Sequence, residues 1–377
     1  MTLKESFIFQ GQSSQEIYFT IKPDRKTDFL NQLSQVVEKA SKTLQEHMLN
    51  KEDIITIKIC LSDYLNQEKT LLAHKLLTDI SKNCAISIIE EPPADGTKIN
   101  VLFYCIKRKN TSKIINNGHL IYQTPNYRHI FHNSKMASQS HLSIKKQTSD
   151  IFQNYINSIK EYKLNIKEHC IRTWLYIRDI DKMYGDVVEA RKDFFYDNNL
   201  TEKTHYITST GIEGKGNNLC KDVCIDFYTV GGIKQEQIKH LHALDYLNPT
   251  YEYGVTFERG TSVTYGDRKH VFISGTASID NKGNTIFLGD VNKQLIRLMQ
   301  NIKALLADAE AQMGDIANMT VYLRDYSDYD TVTKFFAVHF ANIPKLIVIG
   351  KVCRPNWLIE VECIAISHCN SNQFPEF

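Results

Sequence analysis

The sequence contains no run of about 18 apolar residues, the length that a membrane-crossing helix requires. Its opening stretch, MTLKESFIFQGQSSQ, holds neither an apolar h-region nor cleavage-type small residues, so no secretory signal is expected there. Net charge is scarce, since 45 Lys and Arg against 43 Asp and Glu leave +2. That balance makes no electrostatic case for nucleic acid or for an acidic partner. Nine cysteines are present, but metal-type pairs are missing: three residues separate Cys220 from Cys224, which is neither CxxC nor a zinc-ribbon spacing. His240, His242 and His270 also lack ligand spacing. The glycine-rich GIEGKGN is followed by no helical pattern and is not a phosphate loop. No metal and no cofactor are expected, and an odd number of thiols in a large chain fits a reduced, cytoplasmic setting.

What the chain does have is repetition, on an ordinary globular composition of 42% hydrophobic and 23% charged residues. DIANMTVYLRDYSDYDTVTKFFAVHF (315–340) and IRTWLYIRDIDKMYGDVVEARKDFF (171–195) share one order of strand, Arg-Asp turn and helix. Tyr176 matches Tyr322, Arg178 matches Arg324, Asp179 matches Asp325 and Phe194 matches Phe340, all at one offset. The matched Arg178 and Arg324 read as structural. A weaker copy spans 52–77, with Asp53, Ile54 and Asp63 at the places of Asp315, Ile316 and Asp325. An amphipathic helix precedes each copy. In the last one Leu295, Leu298, Met299, Ile302, Leu305 and Leu306 recur at helical spacing. Leu33, Val36, Val37, Ala40 and Leu44 do so in the first, and Phe152, Ile156 and Ile159 in the middle.

Each copy therefore reads as β-hairpin, helix, strand, helix and two strands, over 1–108, 109–232 and 233–377. A sheet with helices on one face is an α+β layer whose other face needs a cover, and the other two copies supply it. In LIEVECIA (358–365) the residues alternate between faces. Ile359, Val361, Cys363 and Ala365 form a core face, which leaves Glu360 and Glu362 on the other with Leu358 and Ile364. Alignment of the IEV, IDF and INV segments sets Glu360 level with Asp226 and Asn100. An acid on an enclosed face must be solvated, paired or used.

The unit resembles the RidA (YjgF) family. The stretch GTASIDNKGNTIFLGDVNKQLIRLMQNIKALLADAEAQMGDIANMTVYLRD follows that family's pattern of a glycine strand start, D..G, a GD...Q helix entry and D....TVYL.D. The resemblance implies three tandem RidA/YjgF-like (chorismate mutase-like) units closed into a pseudo-trimeric central β-barrel with outer helices. It also implies ligand sites in the clefts between units. Assembly would be a monomeric pseudo-trimer or a homo-oligomer of it. RidA imine deaminases carry a substrate-binding arginine on the strand before the acid, where this chain has Lys345.

A narrower set is similar to the chorismatase family: YGVTFERG, HVFISGTASI and VCRPNWLIEVE, with RTWLYIRDID, ARKDFF and STGIEG in the middle copy. It covers roughly 164–366. This resemblance implies cleavage of the enolpyruvyl ether of chorismate to pyruvate and a hydroxybenzoate. It makes Glu360 the acid, for which pairing is the structural alternative, and gives Glu362 a supporting or pairing role. Arg259 and Arg191 become carboxylate anchors; a solvated helix arginine is the alternative for Arg191. Arg354 either contacts substrate or pairs in its turn. Cys353 stands where cysteine accompanies aromatic products, chiefly 3-hydroxybenzoate, and is otherwise a small buried thiol. Gly275, Thr276 and Ala277 line the close approach to ligand. Tyr246 is the remaining substrate-binding candidate, followed by Leu247 where the family has arginine. The other functional readings are a RidA-like enamine/imine deaminase and a non-catalytic protein that binds a small metabolite.

Overall fold

A computed structural model describes residues 5–377. The first sheet contains β1 (Ser6–Gln10), β2 (Ser14–Ile21), β3 (Ile54–Leu61), β4 (Ala85–Glu90) and β5 (Ile99–Arg108), in the order β1-β2-β5-β3-β4. The second contains β6 (Ser112–Asn116), β7 (His119–Gln123), β8 (Arg128–Met136), β9 (Cys170–Ile177), β10 (Thr208–Glu213) and β11 (Val223–Gly231), in the order β10-β9-β11-β8-β7-β6. The third contains β12 (Ile238–His240), β13 (Gly260–Thr264), β14 (Arg268–Thr276), β15 (Ile316–Leu323), β16 (Lys345–Ile349) and β17 (Ile359–His368), in the order β12-β13-β14-β17-β15-β16. In all three, one parallel pair sits at an edge and the other pairings are antiparallel. The second and third sheets each carry one strand more than the expected hairpin provides.

The helices are α1 (Phe29–Glu46), α2 (Tyr64–Ala73), α3 (Ile144–Lys160), α4 (Ile166–His169), α5 (Ile180–Asp197), α6 (Val291–Asp308) and α7 (Tyr329–His339). Side-chain caps start three of the four long ones: Asp28 accepts from the Asn31 amide, Ser143 from Lys146 and Asp290 from Lys293, while α5 has no such bond. Each such cap contributes about 1 kcal/mol. The predicted apolar stripes are the faces that bury, including all six residues named in α6 and Phe152, Ile156 and Ile159 in α3. No helix among the described residues is long and apolar enough to cross a membrane.

Three cores lie between a sheet and its helices, and a fourth lies between the sheets. The strand pleat sorts residues between them. In the first sheet Ile17, Phe19, Val101 and Phe103 face the helices, while Tyr18 and Tyr104 face the fourth core. There Tyr18 stacks on Tyr104 at 4.4 Å, Phe131 on Tyr228 at 4.8 Å, and Tyr228 meets Phe272 at 5.5 Å. Strand pairing is confined to the three sheets. They touch one another through single bridges, Glu90 to Lys215, Pro93 to Val348, and Ile212 to Val352.

Register corrects one expected equivalence. Tyr322 pairs with Glu360, Tyr176 with Cys224 and Cys60 with Asn100. Since Tyr322 and Tyr176 are repeat counterparts, Glu360 corresponds to Cys224 and Asn100. Asp226, opposite Trp174, is instead the counterpart of Glu362, opposite Thr320, and of Leu102, opposite Lys58. The IDF and IEV segments look alike, but the two strands start level, Val223 opposite Ile177 and Ile359 opposite Leu323, and IDF lies two residues further along its strand than IEV.

The first and third sheets are tied by a fully buried cluster. Glu16 accepts from Arg268 and, at 2.8 Å, from His270, and Arg268 also pairs with Asp267 at 2.6 Å. Burial alone would raise the Glu16 pKa, but the charges of His270 and Arg268 hold it at about 2, below its ordinary 4.5. A depressed carboxylate stabilises the fold above its unfolded pKa and loses that contribution as pH falls toward the folded value. Glu16→Gln, which leaves Arg268 short of its partner, is expected to cost about 3–5 kcal/mol. In calorimetry at neutral pH its Tm should fall accordingly, and the gap to wild type should narrow as pH drops from 4.5 toward 2.

Candidate active site

β10 of the second sheet packs across β14 of the third. The backbone amide of Ser209 donates to Ser274 Oγ at 3.0 Å, and that of Gly275 to Thr210 Oγ1 at 2.9 Å. This contact brings β17, α5 and the loop before β13 around one small cavity. Tyr184 and Arg191 come to it from α5, and Ser209 and Gly211 from β10. Tyr253, Phe257, Arg259, Gly275, Ala277, Cys353, Arg354, Trp357 and Glu360 come from the third unit.

Glu360 is 3% exposed, and its carboxyl makes no hydrogen bond with any described residue. Burial, reinforced by the charge of Glu362, raises its pKa to about 8, against the pull of Arg172 and Arg259. Glu362, two residues on, has the opposite environment. It pairs with Arg172 at 2.7 Å and accepts from Tyr322 OH at 3.0 Å, Trp174 Nε1 at 3.1 Å and Thr210 Oγ1. One carboxyl is thus saturated by donors, and the other, with its pKa raised by burial, is left as a protonated acid facing a cavity.

Three arginines surround Glu360, and none forms an ion pair among the described residues. Arg191 is 2% exposed, which rules out the solvated-helix alternative. Its Nε donates to Thr256 at 3.2 Å and its Nη2 is buried without a partner. Arg259 is held by the Asn248 carbonyl at 3.0 and 3.2 Å and lies over the rings of Tyr253 and Phe257. Arg354 lies between Tyr253 and Trp357, at 4.8 and 5.1 Å. Burial lowers the pKa of Arg191 and of Arg259, as desolvation does for any cation. Both cations lack a counter-charge that an anionic ligand would supply.

Cys353 packs its thiol against Tyr184 and Glu360, and burial followed by the Glu360 charge pushes its pKa to about 12. It is a neutral thiol, not a thiolate nucleophile. Gly275 is the one residue type that fits its place, because a Cβ there would run into the Glu360 carboxyl and Thr210 Cγ2. Ala277 lines the cavity. Thr276 does not: its buried hydroxyl turns to the Ser274 carbonyl. Tyr246 also lies away from the cavity, 39% exposed under the Arg297 guanidinium. Leu247, where an arginine was looked for, is packed in the core. Lys345 is remote from Glu360 and pairs with Glu5 at 3.2 Å. Among the described residues no cluster of His, Cys, Asp and Glu could hold a metal ion.

Tyr184, Tyr253, Phe257 and Trp357 complete the wall and were not singled out from the sequence. Three of the four lie inside the motifs already quoted, YGVTFERG and RPNWLIE, so proximity to the motif arginines was the available signal. Tyr184 carried none.

Comparison with known proteins fits this architecture. Residues 261–367 match the family model Endoribonuclease L-PSP. Over 97 residues the chain is 34% identical to a RutC family protein of Pyrococcus abyssi (strain GE5 / Orsay), an alignment that covers 25% of this chain and 76% of the relative. Over 98 residues it is 26% identical to the 3-aminoacrylate deaminase RutC of Acinetobacter baylyi, covering 25% and 77%. The chain belongs to the RutC family, within the RidA/YjgF superfamily, by virtue of its third unit. Over 95% of its length the chain shares the fold of a crystal structure of chorismatase, with a TM-score of 0.65, 15% identity and coverage of 99% of that chain.

The raised Glu360 pKa has a cost in stability. In the unfolded chain this carboxyl ionises above 4.5, whereas in the folded chain it keeps its proton to about 8. The penalty is absent below 4.5, grows between the two values and is complete above 8. Glu360→Gln should therefore raise Tm over wild type at pH 8 and leave it nearly unchanged at pH 4, as read by thermal melts across that range.

Proposed function

We propose that this chain is a chorismatase-like enzyme that cleaves the enolpyruvyl ether of chorismate to pyruvate and a hydroxybenzoate, with 3-hydroxybenzoate favoured. The observation that carries the reading is the Glu360 carboxyl: buried, protonated at neutral pH and, among the described residues, without a hydrogen-bond partner and ringed by arginines without an ion pair. Chorismate is a dicarboxylate, and cleavage of its ether begins with a proton added to the enol methylene carbon. That step needs an acid kept protonated at working pH. The new C–H bond takes the Glu360 proton and the enol π pair; the bond between ring and ether oxygen then breaks, leaving that oxygen as the pyruvate carbonyl, the neighbouring ring hydroxyl oxygen takes the vacated carbon, and the proton the ring loses on aromatising returns to Glu360. Pyruvate and 3-hydroxybenzoate together contain every atom of chorismate, so no co-reactant is required.

In this reading Glu360 is the acid. Arg259 and Arg191 anchor the two carboxylates from the third and middle units, and Arg354 assists at the mouth. Planar guanidinium forks suit carboxylates better than lysine would. Cys353 sits beside the acid and shapes the product as a neutral thiol. The fold shared with a chorismatase supports this arrangement. So does the mutual approach of the three sheets, which we read as one pseudo-trimeric barrel of units 1–108, 109–232 and 233–377. Nine free cysteines fit a cytoplasmic setting for such an enzyme.

A second reading is an enamine/imine deaminase, favoured by the name of the Acinetobacter baylyi relative. The position of Lys345, paired with Glu5 and away from Glu360, speaks against it.

The assay mixes purified protein with chorismate and follows pyruvate by a coupled dehydrogenase and 3-hydroxybenzoate by chromatography. Glu360→Gln should lower kcat by about 10²–10⁴, and wild-type activity should decline above pH 8 as the acid loses its proton. Turnover undiminished in the variant would remove Glu360 from the mechanism. Ammonia release from a 2-imino acid with no action on chorismate would favour the deaminase. Arg191→Lys and Arg259→Lys should each raise KM at least tenfold.

A further inference from the structure

A second cavity, of about 110 Å³, lies between the three sheets, on the other side of the Arg172–Glu362 pair from the site above. Its volume is close to that of the ~150 Å³ engineered apolar cavity known to take up benzene. Tyr104 from the first sheet, Trp174 and Tyr228 from the second, and Phe272 from the third wall it with aromatic faces.

Every charge in that wall already has a partner. Lys58 pairs with Glu91 at 2.8 Å and Arg172 with Glu362 at 2.7 Å, and Asp226 accepts from Ser87 Oγ at 2.6 Å and from the Ser134 amide. An anionic ligand would find no free cation there and would forfeit its hydration. Hydrogen-bonding capacity is nonetheless left over. Asn318 is 5% exposed and its Nδ2 is buried without a partner. The Asn133 carboxamide, also in the wall, makes no hydrogen bond with a described residue. A buried amide without a partner costs about 1–3 kcal/mol, so a packing-only interior gains nothing from Asn318, and Asn133 stands beside it only partly buried.

We propose that the cavity between the sheets is a second binding site, for an uncharged single-ring aromatic molecule that carries a hydroxyl or carbonyl oxygen. The ring lies against the aromatic walls and the oxygen accepts from Asn318 Nδ2. The site is opposite in preference to the Glu360 cavity, whose unpaired arginines favour an anion. It does not depend on the reaction proposed above.

The chain has two tryptophans, and each cavity has one: Trp174 between the sheets and Trp357 beside Glu360. Trp357→Phe therefore leaves a reporter of the inner cavity alone, and Trp174→Phe a reporter of the outer one. Phenol and benzoate are the probes, titrated against tryptophan emission excited beyond the phenol band. Phenol should shift the Trp174 signal saturably, and benzoate should not. Asn318→Leu, introduced into the Trp357→Phe background, should weaken phenol by about tenfold, the loss of one buried hydrogen bond. If that variant does not fold by circular dichroism, Asn133→Leu is read instead, with a weakening in the same direction. An unsaturable Trp174 response, an equal response to benzoate, or unchanged phenol affinity in the folded asparagine variant would overturn the proposal. A failed chorismate assay would leave it standing, because the Trp174 channel does not read the outer cavity.

Discussion

A sheet has two faces to remove from water, and in each unit the helices cover one. The remaining faces bury each other, and most of the molecule follows from that requirement. It explains why the strands are apolar on both sides, why aromatic residues gather where three sheets converge, and why cations and acids in that space are paired. Glu16 with Arg268 and Lys58 with Glu91 are polar groups in places where water is excluded, so each must supply the other's counter-charge. The same enclosure gives the cleft between the second and third sheets its chemistry. There, among the described residues, one acid and three arginines are left without an ion pair.

Glu360 and Glu362 form the clearest contrast. They leave the same strand on the same side and differ in what reaches them. Glu362 meets an arginine, an indole, a phenol and a hydroxyl, whereas Glu360 meets a glycine. Desolvation raises a carboxyl pKa, so of two identical side chains about 7 Å of strand apart only the one left without donors is pushed up, to about 8. The ionised neighbour also contributes to keeping the proton on Glu360. The Gly275 backbone leaves the space in which that proton can be offered.

Much of this was legible in the sequence. The helical stripes, the order of elements and the core face of LIEVECIA follow from periodicity, because burial on one face imposes period 3.6 or 2 wherever it occurs. Glu360, Arg259, Cys353, Arg354, Gly275 and Ala277 share one wall because the quoted motifs sit on adjacent strands of one unit. Arg191 joined them from another unit on the strength of a resemblance, and its burial could not be read from a helix face that looked polar. The register error at Asp226 had a local cause: three similar strand segments can be aligned in steps of two without moving any residue to the wrong face. Only the hydrogen-bonded partner across the sheet fixes the step. Tyr246 and Thr276 depended on which way a loop or a bulge turned, and the bulge between Ile273 and Thr276 sends Thr276 away from the cavity.

The three units are joined through continuous chain. A ring of separate subunits holds three copies of every cleft and loses them all on dilution, since its assembly is third order in protein. Here the linkers between β5 and β6 and between β11 and β12 make each unit's neighbour part of the same molecule, at an effective concentration that no dilution alters. A substitution on β17 then reaches one cleft instead of three. The acid's counterparts answer to their own surroundings instead: Cys224 is packed in a core, and Asn100 donates to Asp95 and accepts from Thr97, both away from the cleft that holds Glu360.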